Sequence, residues 1–301
     1  MPPISPTAPD SPSAAGRARW LPIAAAGTTV LLWASAFVGI RSAGESLSPG
    51  PLALGRLLIG SLLLGALVAV RREAWPSRRD LVPIALCGLL WFGGYNVALN
   101  AAEQRVDAGT AALLVNIGPI LIAILAGVFL HEGFPRGLVL GSAVAFCGVA
   151  IIAIPSIDQA SAEIWGPLLC VVAAVLYAAG VVIQKPVLAR VSALQLTFLA
   201  CAVGALVCLP FAPQLVDEAG DADRSAIAWL VYLGVFPTAV AFTTWAYALA
   251  RTTAGRLGAT TYLVPATSIL LAWLILDEVP PLLAFVGGAL CLVGVAITRR
   301  R

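Results

Sequence analysis

Ten apolar runs fill most of the chain, each separated from the next by charge, proline or glycine. They lie at roughly 20–40, 51–70, 81–100, 108–130, 137–154, 164–184, 192–211, 226–249, 257–276 and 282–298. A run of about 20 apolar residues spans the hydrocarbon core as a helix, and a helix satisfies its own backbone where no water can reach it. The pattern therefore predicts an all-α membrane protein of ten transmembrane helices joined by short loops. Residues 1–19, with five prolines among Ser, Thr and Ala, read as a disordered tail, and 299–301 as a short basic tail. Arg17 and Arg19 before the first run imitate a signal peptide, but that run has a counterpart later in the chain and counts as the first helix.

Composition narrows the chemistry. Hydrophobic residues make up 60% of the chain and charged ones 11%, against about 25% charged in an ordinary soluble domain, which argues against a soluble enzyme or a nucleic-acid binder. His131 is the one histidine, so histidine-rich metal sites and His-relayed triads lack raw material. Six cysteines without CxxC spacing read as packing residues. No Asp or Glu lies well inside a span; the nearest are Glu103, Asp107, Glu132 and Glu278. An intramembrane proton relay or protease would need such groups. There is no Walker A sequence. The expectation is a protein without catalytic residues, cofactor or metal.

Charge sets an orientation. With the N-terminus inside, fourteen Lys and Arg fall on the inner segments and three, Arg41, Arg105 and Arg224, on the outer ones. That bias places both termini in the cytosol, with the acidic loop Asp217–Asp223 outside, and short loops fit a bacterial plasma (inner) membrane.

The two halves also resemble each other. Residues 109–132 shifted by 146 meet 255–278, so that Pro119 falls on Pro265 and Glu132 on Glu278. Gly141 and Gly148 likewise fall on Gly287 and Gly294. Trp33 matches Tyr177 and Arg41 matches Lys185 at a shift of 144; Tyr95 matches Trp245 at 150. Residues 20–155 and 163–298 then form two five-helix repeats. An odd number of spans per repeat inserts the second copy upside down, a recurrent plan of secondary transporters with a site near the midplane. The segments "LLWASAFVGIR", "ALGRLLIGSLLLGAL", "GTAALLVNIGPILIAILAGVFLHE" and "GGALCLVGVAI" resemble the drug/metabolite transporter superfamily in its EamA branch, over roughly residues 20–298. The resemblance implies a ten-helix exporter of amino acids or other small metabolites, with the YddG-type amino-acid exporters as a comparison; export of toxic organic cations or drugs is the alternative on the same fold. A channel or an intramembrane enzyme is a distant third.

Candidate cavity residues follow from position. Trp33, Trp91, Tyr95, Tyr177 and Trp245 offer flat rings that stack on apolar groups or face a cation. Asn96 and Asn100 share one helix face and either line the cavity or bridge helices. Asn116 and Tyr262 lie beside the carbonyls that Pro119 and Pro265 would free in mid-span, where the chain would kink or hinge. Thr244 and Tyr247 complete the set on the eighth span. Arg56 enters the second span, where it either snorkels to the interface or faces the cavity. Arg41 and Lys185 are gate residues or anchors. Trp20, Trp75, Trp165 and Trp229 sit at span ends and belong to the interfacial belt. The glycines at 137, 141, 148, 287, 288 and 294 allow close approach of the fifth and tenth helices within one molecule, or else dimerisation. The expected partners are a small-molecule substrate and the lipid bilayer, with the chain a monomer or weak dimer.

Overall fold

The computed structural model describes residues 12–106, 111, 114–157, 164–276 and 282–298. The remainder of the N-terminal tail, Asp107, Glu278 and Arg299–Arg301 lie outside the described residues. Within them the chain is helical, with no strand. The helices are α1 (Pro12–Ala43), α2 (Pro49–Arg71), α3 (Arg78–Glu103), α4 (Gly118–Phe129), α5 (Arg136–Ile157), α6 (Trp165–Val187), α7 (Ala193–Asp221), α8 (Arg224–Leu249), α9 (Ala254–Thr260), α10 (Leu263–Leu276) and α11 (Leu282–Thr298). Six of them are long and apolar enough to cross a membrane; α4, α11 and the described part of α5 are shorter apolar helices. Large apolar side chains stand on the outside of the bundle, among them Leu62, Phe129, Leu274 and Leu292. Such a surface belongs in lipid.

Three sequence expectations are corrected. α1 starts at Pro12 and takes in residues 12–19 of the expected tail; alanines and arginines carry the helix, and Pro12 stands at its first position, where a missing N–H costs nothing. The acidic stretch before Asp223 is the last part of α7, an amphipathic helix over Ala212–Asp221. The expected kinks at Pro119 and Pro265 are full breaks. The chain turns at Asn116–Ile117, where the Ile117 N–H bonds Leu114 O at 3.2 Å, and at Thr261–Tyr262, where the Thr261 N–H bonds Gly258 O at 3.0 Å. Proline supplies no donor to continue the ladder.

Two further irregularities recur. The middle of α3, Gly88–Gly94, and of α8, Gly234–Val240, widens into π-helical turns. These two segments lie 146 positions apart, the same shift at which Pro119 falls on Pro265. Side chains bond back onto carbonyls at these wide turns: the Asn96 amide donates to Phe92 O at 2.7 Å, the Thr238 hydroxyl to Leu233 O at 2.8 Å, and the Thr243 hydroxyl to Ala239 O at 2.7 Å.

α5 and α11 form the most extensive helix pair, and glycine makes it so. A Cβ on Gly141 would stand 2.5 Å from Gly294 O, and one on Gly148 2.6 Å from Gly287 O. These four glycines are thus spent on packing inside the molecule.

The two ends of the bundle differ. At one end the segment between α2 and α3 is tied to the start of α7: the Ser192 hydroxyl donates to Glu73 and the Gln195 amide to Ala74 O. Asp80 accepts from Arg190 Nε at 2.8 Å and Nη2 at 2.6 Å. Glu132 accepts from the Ala254 and Gly255 N–H groups at the start of α9, at 2.8 and 3.2 Å, where unpaired donors and the helix dipole favour a carboxylate. This tied end also carries Arg71, Arg190 and Arg251. At the other end Ser48 joins Glu218, beside a polar vestibule of about 420 Å³ lined in part by Arg41, Glu45, Asn100 and Glu103.

Candidate functional site

A cavity of about 70 Å³ lies between α1, α2, α3, α6, α8 and the two helix breaks. At about 10–15 Å³ per water on the same measure, it has room for roughly five to seven. It shares Phe37 and Ile40 with the vestibule, so it lies next to the open end. None of the residues that tie the opposite end lines it.

Six aromatic residues line it: Trp33, Phe37, Trp91, Tyr95, Tyr177 and Phe242. Trp33, near the middle of α1, stacks at 5.1 Å from Trp245, 5.4 Å from Phe242 and 6.0 Å from Trp91. Trp91 in turn lies 5.3 Å from Tyr177 and 4.9 Å from Phe242, and Tyr95 6.0 Å from Tyr177. These are tilted and edge-on arrangements, the geometries that the ring quadrupole favours, each contributing about 0.5–1.5 kcal/mol beyond area burial. The wide turn of α3 carries Trp91 and Phe92 into this cluster and sets Tyr95 and Asn96 one turn on.

Arg56 is the charged group in the cavity wall. It is 4% exposed, and its Nε donates to Thr238 Oγ1 at 3.0 Å. Thr238 passes that bond to Leu233 O, so the wide turn of α8 anchors an arginine of α2. The approach is close: a Cβ on Gly60 would stand 2.8 Å from Thr238 Cγ2, and one on Gly234 would meet Ile59 Cβ at 2.6 Å. Of the two places the sequence leaves open for Arg56, its side chain occupies the one at the cavity wall.

Other candidates fall in different places. Trp33, Trp91, Tyr95, Asn96, Asn116, Pro119 and Tyr177 share the cavity wall with Arg56. Asn100 instead lines the vestibule, donating to Pro49 O at 3.1 Å. Trp245 stands behind the wall as part of the aromatic cluster and is 1% exposed. Thr244 faces Thr29 at 2.8 Å between helices. Tyr247 lies at the tied end, its ring 3.6 Å under the Arg251 guanidinium, on a crevice of about 500 Å³. Tyr262 is fully buried against Leu138, Val149 and Cys291, away from the cavity. Pro265 is buried at the second break but absent from the cavity wall. Lys185 donates to Leu249 O and Thr252 O, holding the end of α8. Arg41 is exposed at the vestibule.

Sequence reasoning missed Phe37, Phe242, Thr238 and Thr261. Phe242 and Thr261 line the cavity with Phe37, and Thr238 holds Arg56. The one signal available was that Thr261 neighbours the break.

The comparisons with known proteins agree with this architecture. The sequence model of the EamA-like transporter family matches residues 20–154 and again 164–300. A relative from Streptantibioticus cattleyicolor described as a probable terminal-alkyne amino-acid exporter is 39% identical over 274 residues, covering 91% of each chain. The uncharacterized transporter YdfC of Bacillus subtilis is 34% identical over 267 residues, 89% of this chain and 87% of YdfC. A solved crystal structure shares the fold at a TM-score of 0.74 and 21% identity, covering 92% of this chain and 96% of that one. Matched in both halves and across nearly its whole length, this chain belongs to the EamA-like transporter family, and it is a membrane transporter.

Proposed function

We propose that the protein is a secondary carrier that exports amino acids or closely related small metabolites across a bacterial plasma membrane by alternating access. In this reading ten membrane-crossing helices form two inverted five-helix repeats, with both termini in the cytosol. The observation that carries it is the aromatic cavity with a buried arginine, enclosed by helices from both halves and adjoining one end of the bundle alone. Support for the repeat comes from the double family match and from the paired wide turns. The basic residues of the tied end support a cytosolic placement of that end, which makes this conformation one that faces outward. The amino-acid exporter named among the relatives supports the substrate class.

An organic-cation exporter is the rival, since aromatic faces attract cations. A guanidinium in the cavity wall repels them, and favours cargo that carries a carboxylate. The test is uptake of labelled threonine, methionine and phenylalanine into liposomes holding the purified protein, with and without a pH gradient. Uptake abolished by Trp33→Ala with Tyr95→Ala is expected. Uptake of quaternary amines in place of amino acids would overturn the assignment.

A further inference from the structure

The following rests on the carrier reading above and names how its cavity selects cargo. Arg56 has one hydrogen bond from its side chain among the described residues, that of Nε to Thr238. Among the described residues its terminal nitrogens meet no acceptor, although the residue is 4% exposed and lines the cavity. Open guanidinium donors on a cavity wall are met by water or by an anion, and the fork matches a carboxylate in two parallel charge-assisted bonds.

About two turns of α3 carry the complementary groups. Asn96, Asn100 and Glu103 follow at helical spacing on one face. Glu103 lines the vestibule and has a buried Oε1 without a hydrogen-bond partner, and Asn100 has a buried Oδ1 in the same condition. Both are acceptors. Glu103 and Arg56 are close enough to interact electrostatically, yet no ion pair joins them; Arg56 lines the cavity, Glu103 lines the vestibule, and the two spaces share Phe37 and Ile40. A guanidinium and a carboxyl that do not close on each other leave the gap to a molecule that carries a partner for each.

We infer that this gap reads the head group of an α-amino acid: Arg56 takes the α-carboxylate, Glu103 with Asn100 takes the α-ammonium, and the side chain enters the aromatic cluster around Trp33 and Trp91. The cavity's small size fits short apolar side chains, and larger ones must extend toward the vestibule. Selection then works by omission as well as by contact. An analogue lacking either charge leaves a buried partner unpaired, which discriminates far more strongly than a lost methylene does.

The test uses the full chain in liposomes with labelled methionine. The competitors are 3-(methylthio)propylamine, which lacks the carboxylate, and 4-(methylthio)butanoate, which lacks the ammonium. In the unaltered protein each competitor should act at least tenfold more weakly than methionine. Glu103→Gln should lose its discrimination against the butanoate and keep it against the amine. Arg56→Gln should do the reverse, and Arg56→Lys should recover part of the carboxylate preference. Folding is checked by size exclusion, and should Arg56→Gln fail it, Arg56→Lys and Glu103→Gln decide the matter. Methionine uptake with unchanged discrimination in folded variants overturns the head-group assignment alone. Transport of the amine with no amino-acid uptake overturns the carrier's substrate class and the assignment with it.

Discussion

Ser48 immediately precedes α2 and gives Glu218 two bonds, from its N–H at 2.8 Å and from its hydroxyl at 2.6 Å. Ser192 stands in the same place before α7, and its hydroxyl donates to Glu73 while accepting from the Gln195 N–H at 3.1 Å. Ser48 and Ser192 lie 144 positions apart and Glu73 and Glu218 lie 145 apart, so under the proposed repeat the two contacts are images of each other at opposite ends. Both contacts are made in this conformation, which the proposed function reads as open at the vestibule, so each stabilises it. A hydrogen bond to a charged group contributes about 1.5–3 kcal/mol when shielded, and less at an exposed site, below about 1 kcal/mol. Glu218→Gln disturbs the half-buried pair and should cost this conformation about 1.5 kcal/mol, shifting the balance about tenfold away from it. Glu73→Gln disturbs the exposed pair and should shift it less than about fivefold, in the same direction. Labelling by a membrane-impermeant maleimide in detergent reports both, with Ile40→Cys at the vestibule and Tyr247→Cys at the crevice, in a background from which the exposed Cys147 has been removed. Both variants should lower labelling at position 40 relative to position 247, Glu218→Gln the more. Raised labelling at position 40 in either variant would refute the reasoning.

Further outcomes follow from the packing. Gly148→Val places branched carbons where Gly287 O already lies 2.6 Å from a Cβ; overpacking of this kind costs about 1–3 kcal/mol, and thermal unfolding in detergent should show it, whereas Gly220→Ala, with open space around it, should match the parent protein. Gly60→Ala pushes on Thr238 and should weaken transport several-fold through Arg56 while leaving the unfolding temperature within a few degrees; equal loss of both would assign Gly60 to packing alone. Trp33→Ala empties the centre of the ring cluster; because Trp33 is half-buried on the cavity wall, the cost should fall below that of a fully buried Trp, about 3–5 kcal/mol, and Trp33→Phe should recover most of it, measured by the same unfolding assay.

How far the sequence could be read depended on local regularity. The six long apolar helices were legible because their apolar runs persist for about 20 residues, and Arg56 was visible as a charge inside one of them. The glycine seam of α5 and α11 was legible from its spacing, since small residues one or two turns apart mark a close approach. Register was lost where the helix changes pitch. Phe242 faces the cavity while Trp245 stands behind it and Thr244 meets Thr29, because the wide turn at Gly234–Val240 rotates everything after it away from the 3.6-residue count. Partners distant in sequence, such as Thr238 for Arg56 or Glu218 for Ser48, left no local trace. The helical end of α7 was misread because its charges resemble those of a loop, although its apolar positions fall on one face.

The wide turns carry a record of history. A π-helical turn closes one residue later than an α-helical turn, so each is the mark of an extra residue lodged in a helix. Both marks stand 146 positions apart, in the middle of α3 and of α8. Given the repeat proposed above, separate insertions would have had to strike the same turn twice. On the proposed repeat the extra residue is then older than the doubling, carried by a five-helix ancestor before two copies were joined into one chain.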